Sequence, residues 1–205
     1  MKVKICGLRR VEDAQLALQL GASHLGVVLA ADSPRRARLS EAKAIVAAAR
    51  GRAAPVLVFR GEDDSVVVAA SRALGVRRVQ VYGAGRARCA RLARAGVEPL
   101  PVVQVAQDAA AIPTLARAAG ETRPVLLDGG GGGQGRRFRW SLLAGQDLTG
   151  VFVAGGLRPG NLPELLDYRP WGVDVSSGVE SAPGVKDARL LSAFFDVLAR
   201  AEVSL

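Results

Sequence analysis

The sequence predicts an α/β protein, a single (β/α)8 TIM barrel of the phosphate-binding type, and three observations carry the prediction. Short β-branched runs alternate with Ala/Leu/Arg stretches of helical spacing, eight of each. Strands separated by helices run parallel, and eight such units close into a barrel. Two glycine- and serine-rich turns follow the seventh and eighth runs, where barrels often hold a phosphate group. The whole chain, 1–205, reads as one domain, since no linker or shift in composition divides it. At about 25 residues per unit it lies near the lower size limit of the fold. An open doubly wound sheet is the competing architecture, and no GxGxxG follows the first strand to support it.

The units follow in order. The first strand, "KVKIC" (2–6), ends on Cys6 and is followed at once by Gly7. "VEDAQLALQLG" (11–21) is the first helix, closed by glycine as helix ends often are. "HLGVVLA" (24–30) leads to "SEAKAIVAAAR" (40–50), and "APVLVF" (54–59) to "DDSVVVAASRALG" (63–75); "SEAK" and "DDS" supply N-caps. "RRVQVY" (77–82) precedes "RARCARLARAG" (86–96). "EPLPVVQV" (98–105) precedes "DAAAIPTLARAAG" (108–120), where Pro113 requires a late start or a kink. "RPVLLD" (123–128) runs into "GGGGG" (129–133), which reads as a mobile loop, and then into a helix at "FRWSLLAG" (138–145). "GVFVAG" (150–155) with "NLPELLDY" (161–168), and "GVDVSS" (172–177) with "KDARLLSAFFDVLARA" (186–201), complete the set.

Composition excludes several function classes. The chain is 49% hydrophobic, enough for a sizeable core. No apolar run approaches the roughly 20 residues of a membrane span. "MKVKICGLRR" lacks the apolar centre of a signal peptide, so a cytoplasmic location is expected. Two cysteines, Cys6 and Cys89, make no disulfide framework and are read as thiols, Cys89 as part of the core. One histidine, His24, leaves no His-based metal site and no supported Ser-His-Asp triad. The net charge of +9 comes from arginines spread through almost every segment, and aromatics are only 4%. Platforms for base stacking are scarce, so nucleic acid is not the expected partner. A basic surface does favour anionic small molecules.

In a barrel of this kind function sits at the carboxyl ends of the strands. Cys6, the "DSPRR" turn, Tyr82, Asp128, "AGG" and "DVSSG" stand there. "AGGLRPGNL" (154–162) and "DVSSGVESAPG" (174–184) precede helical segments. Their backbone N–H groups, at Gly155, Gly156, Ser176, Ser177 and Gly178, are suited to a phosphate dianion. Asp128 ends an apolar strand at a glycine loop, where partial desolvation raises a carboxyl pKa and suits it to general acid work. The same place also suits a helix cap or a surface aspartate. Cys6, on strand one, would face Asp128, on strand six, across a narrow barrel: a thiolate taking a proton and a carboxylic acid giving one are matched for isomerisation. An ordinary thiol pKa of about 8.5 calls for a nearby cation, and Lys4 shares the parity of Cys6 along the strand. Arg35 and Arg36 could fork a substrate carboxylate, although taken alone they read as a solvated basic loop. Composition and spacing reach an isomerase or lyase acting on a sugar phosphate, and stop there.

Taken together, "KICGLR", "GVVLAADSPR", "VQVYG", "LLDGGGGGQGRRFRW", "AGGLRPGNL" and "GVDVSSGVESAPGVKD" resemble the phosphoribosylanthranilate isomerase family of tryptophan biosynthesis, in order and spacing over nearly the whole chain. The resemblance implies an Amadori rearrangement of N-(5-phosphoribosyl)anthranilate to 1-(2-carboxyphenylamino)-1-deoxyribulose 5-phosphate. It implies Asp128 as the acid that protonates the furanose oxygen and Cys6 as the base that takes the C2 proton. It further implies Arg35 on the anthranilate carboxylate, Asp174 on the sugar hydroxyls, the two loops on the phosphate, and no metal or organic cofactor. Three departures stand out. Tyr82 replaces a histidine in the usual "QLHG". The loop after Asp128 is short and almost all glycine. Arg139 replaces an acidic residue in "GGQGRRFRW", while Arg136 keeps the usual positive charge. Five glycines raise the entropy cost of closing that loop, so retained activity with weaker substrate capture is expected.

Two further readings come from other classes. One is another sugar-phosphate isomerase of the phosphate-binding barrels, such as the related isomerase of histidine biosynthesis. That enzyme uses paired aspartates, whereas strand one here ends in cysteine. The other is a non-catalytic phosphate-ligand sensor, against which intact Cys6 and Asp128 stand. Members of the resembled family occur as monomers, dimers and fused bifunctional chains, so a monomer or homodimer is expected.

Overall fold

The computed structural model of the protein describes residues 1–112, 119–130 and 135–203. Eight strands close a parallel barrel in chain order: β1 (Lys2–Ile5), β2 (His24–Val28), β3 (Ala54–Phe59), β4 (Arg78–Tyr82), β5 (Glu98–Gln104), β6 (Val125–Asp128), β7 (Val151–Ala154) and β8 (Gly172–Val175). β8 pairs back onto β1, with Lys4 opposite Asp174. Around the barrel lie α1 (Val11–Gln19), α2 (Leu39–Ala49), α3 (Asp64–Leu74), α4 (Arg86–Arg94), α5 (Leu162–Leu166) and α6 (Ala188–Val203).

Side chains alternate across a strand, and here the even-numbered positions fill the barrel. Val56, Leu100, Val102, Leu126, Phe152 and Ala154 form one interior cluster, and Cys6, Val28, Ala30 and Val58 a second, with Tyr82 against both. Odd-numbered partners such as Ile5, Val27, Leu57, Val81, Leu127, Val153 and Val173 join the larger layer under the helices. Ordinary barrels fill the interior with apolar residues. This one buries Lys4, Gln80, Asp128 and Asp174 there as well. Those polar groups lead up to the mouth.

Several expected elements differ in detail. β1 stops at Ile5, so Cys6 is the first residue beyond the strand. α2 begins at Leu39, one residue before the expected cap Ser40; instead the Glu41 carboxylate accepts the backbone N–H of Arg38 at 2.7 Å. Asp63 precedes α3 without a side-chain cap bond. Asp64 is engaged by Arg88 and Arg91 of α4. "FRWSLLAG" forms only one 3-10 turn, Trp140–Leu143. Four residues cannot offset the cost of starting a helix, so burial of Trp140 and Leu143 holds the turn. The helix expected over 108–120 does not form at 108–112, which are turn, bend or irregular, nor at 119–120, where Gly120 bridges to Arg123; its remainder at 113–118, with Pro113, and the later part of the glycine run, within 131–134, lie outside the described residues. A short antiparallel hairpin, β9 (Glu180–Ala182) and β10 (Val185–Lys186), was not expected.

Candidate active site

The mouth of the barrel holds a concave cleft, the shape that small-molecule sites take. Cys6, Arg35, Tyr82, Asp128, Gly155, Gly156, Asp174, Ser176 and Ser177 all line it. Of the other residues singled out in the sequence for this site, Lys4, Arg36 and Gly178 do not line it; Gly178 has a different place. It lies where the β8 loop closes on the β7 loop, and a Cβ at this position would overlap the carbonyl of Leu157. The two glycine-serine loops therefore touch, and Gly178 sets how closely. α5, of five residues, starts at Leu162, well past Gly156, so the expected helix behind that loop lends it little. A 3-10 turn starts at Ser177 itself. An anion here would be held chiefly by loop N–H groups.

Cys6 is buried, at 7% exposure, and burial pushes its thiol pKa up. The Lys4 charge pulls the other way, and Asp174 adds to the rise. Lys4 itself is fully buried and donates to Asp174 Oδ1 at 2.7 Å. Burial alone would lower its pKa, but Asp174 and Cys6 outweigh that and raise it, so it stays charged. Their nearness follows from register, because Lys4 and Asp174 are opposed across β1 and β8. Gly26 on β2 makes room: a Cβ there would sit 2.8 Å from Cys6 Sγ and 3.1 Å from Lys4 Nζ.

Asp128 ends β6, 5% exposed. Its Oδ1 accepts the N–H of Gly130 at 3.1 Å, and its Oδ2 the Tyr82 hydroxyl at 3.3 Å. Gln80 Nε2 in turn donates to that hydroxyl at 3.4 Å. Burial, with the charge of Asp128, pushes the Tyr82 phenol far up, so it remains a neutral donor. A phenol thus stands where the resembled family carries a histidine.

Arg35 is placed by its turn and by Gly7. Ser33 caps the turn, accepting the Arg35 N–H on its hydroxyl at 3.2 Å and the Arg36 N–H on its carbonyl at 3.0 Å. Gly7, with φ of +76°, lies under the arginine stem, and a Cβ there would be 2.7 Å from Arg35 Cδ. Glycine after Cys6 therefore serves both the left-handed turn and the arginine. Glu180 and Lys186, from the β9–β10 hairpin, complete the wall below. Lys186 Nζ donates to the Cys6 carbonyl at 2.5 Å and to Glu180 at 2.7 Å. Neither was assigned from the sequence, although both fall in the "GVESAPGVKD" stretch. Their signal was two opposite charges beside a glycine turn. The signal for Gly26 was a glycine in the interior of the strand "HLGVV".

A parallel barrel carrying a thiol, a carboxyl group, an arginine and a double glycine-serine loop at one mouth belongs with the sugar-phosphate isomerases of its fold. Residues 3–197 match the family model described as N-(5'phosphoribosyl)anthranilate (PRA) isomerase. An N-(5'-phosphoribosyl)anthranilate isomerase of Azorhizobium caulinodans is 39% identical over 215 residues, covering 100% of this chain and 94% of that protein. A tryptophan biosynthesis protein TrpCF of Salmonella typhi is 35% identical over 95% of this chain and 42% of its own length. The crystal structure of phosphoribosyl anthranilate isomerase from Thermus thermophilus matches with a TM-score of 0.85 and 36% identity, covering 98% of this chain and 99% of that one. A second, in complex with reduced 1-(o-carboxyphenylamino)-1-deoxyribulose 5-phosphate, matches with a TM-score of 0.81 and 28% identity over 98% and 99%. The chain belongs to the phosphoribosylanthranilate isomerase family.

Proposed function

We propose that the chain is the phosphoribosylanthranilate isomerase of tryptophan biosynthesis, with the site at the mouth of the barrel and one catalytic domain over 1–205. One observation carries the reading: Cys6, just past β1, and Asp128, at the end of β6, line a single cleft with the loops at Gly155–Gly156 and Ser176–Ser177. Asp128, as general acid, protonates the ring oxygen of the aminoaldose, and the ring opens to a Schiff base. The Cys6 thiolate removes the C2 proton, and the resulting enolamine tautomerises to the ketose. Lys4 favours that thiolate. Asp174, held on one oxygen by Lys4, offers the other to the sugar hydroxyls. Arg35 takes the anthranilate carboxylate, and the loops take the 5'-phosphate, with Gly178 keeping them together.

No cofactor enters this scheme. The two cysteines are both free thiols, and no helix among the described residues is long and apolar enough to cross a membrane; both support a cytoplasmic enzyme. Every named group comes from one chain, so the reading suits a monomer or a homodimer. The test is rescue of a tryptophan auxotroph lacking this step, paired with a fluorescence assay of substrate loss. Wild type rescues growth. Cys6→Ser and Asp128→Asn each lose about 10²- to 10⁴-fold in kcat. A soluble wild-type chain that neither rescues growth nor turns over the substrate overturns the assignment.

A further inference from the structure

Glu180 has no part in the chemistry above, yet its carboxylate accepts from Arg35, Lys186, Gly184 and Ser176 at once. Its side chain is only 4% exposed. Oε1 accepts from Arg35 Nε at 3.0 Å, Lys186 Nζ at 2.7 Å, the Gly184 N–H at 3.3 Å and the Ser176 hydroxyl at 3.5 Å. Oε2 accepts from Arg35 Nε at 3.0 Å and Nη2 at 2.8 Å. A buried carboxylate with several charged donors is expensive to displace. Arg35 is therefore gripped along its Nε–Nη2 edge. A guanidinium has a second edge, Nη1–Nη2, of matching fork geometry. Among the described residues Nη1 donates to no other side chain or carbonyl, and Arg35 lines the cleft.

We propose that Glu180 is a positioning residue for this isomerisation: by holding one edge of Arg35 it aims the other at the aromatic carboxylate of the substrate. Lys186 ties the same carboxylate to the carbonyl of Cys6, so the carboxylate clamp and the base share one support. The inference rests on the reading of Arg35 given above. It differs from competition, in which Glu180 would occupy Arg35 until substrate displaced it. The Lys186 and Gly184 bonds hold Glu180 whether or not Arg35 is engaged, which favours positioning.

Steady-state kinetics on Glu180→Gln, Arg35→Ala, Arg35→Lys and the Glu180→Gln/Arg35→Ala pair distinguish the cases. Glu180→Gln is expected to raise KM about tenfold, with kcat within about twofold, since the lost bonds are charge-assisted. The double variant is expected to be no worse than Arg35→Ala alone, because Glu180 acts through the arginine. An unchanged or lowered KM for Glu180→Gln beside a raised KM for Arg35→Ala overturns the proposal, as do additive effects in the pair. If Arg35→Ala itself leaves KM unchanged, the carboxylate reading fails and the inference goes with it. Arg35→Lys decides the matter even if Glu180→Gln does not fold. Lysine keeps the charge but cannot offer two edges, so its KM is expected within about threefold of Arg35→Ala. Full rescue by lysine overturns the proposal.

Discussion

At Cys6, burial raises the thiol pKa and the Lys4 ammonium lowers it, with burial the larger. In the role proposed for it Cys6 acts as the thiolate, and the raised pKa keeps the thiolate fraction at neutral pH below that of a free cysteine. Removing Lys4 removes the opposing charge and leaves Asp174 unpaired beside the sulfur. In a Cys89→Ser background, alkylation of Cys6 by iodoacetamide is expected to rise only above the pH range of an ordinary thiol, about 8.5. Lys4→Met should move that rise further alkaline. A rise at or below the ordinary range, or no displacement with Lys4→Met, contradicts this account. Much of this layer was legible from parity alone: Lys4 and Cys6 alternate with buried Val3 and Ile5, so both face the barrel. What was not legible was Glu180, because a turn glutamate looks solvated until the arginine from another loop arrives. Tyr82 sits between these cases. Its place at the end of β4 was readable, but its bond to Asp128 depends on how strands four and six lean together.

Among the elements, the contact between the β7 and β8 loops has the clearest consequence. Gly178 lets the loop after β8 rest on the Leu157 carbonyl. Gly178→Ala should force the loops apart, weaken inhibition by inorganic phosphate and raise KM by about tenfold or more, with kcat changed less. Measuring phosphate inhibition against KM checks it; unchanged phosphate binding would show that the loops do not need this contact. The strands were legible because each is a β-branched run bounded by glycine or charge. The β9–β10 hairpin was not, since strands of three and two residues carry no alternation to read. The sequence predicts a helix at 138–145 where only the turn Trp140–Leu143 forms, because apolar spacing over eight residues looks the same in either form.

For the molecule as a whole, His24 governs part of the response to acid. It opens β2, stacks edge-on to Phe152 at 5.2 Å and meets Arg78 at 3.1 Å. Burial first, then Arg78, Lys4 and Lys2, lower its pKa from 6.5 to about 3. The folded protein keeps this ring neutral while the unfolded chain takes up a proton. Its contribution is therefore complete above pH 6.5 and is lost as pH falls towards about 3. Between pH of about 6.5 and 4.5, above the ordinary carboxylate range, His24→Gln should lose less Tm than wild type. Parallel slopes in thermal melts across that window would remove His24 from the account.

The Lys186 bond to the Cys6 carbonyl spans 180 positions of the chain, and the Lys4–Asp174 pair spans 170. The sulfur is therefore made long before either of these supports and meets them only when the barrel closes, β8 pairing back onto β1. Only when β8 and the hairpin after it have docked does the sulfur gain its surroundings. Until that closure Cys6 lacks both the burial that raises its thiol pKa and the Lys4–Asp174 pair beside it.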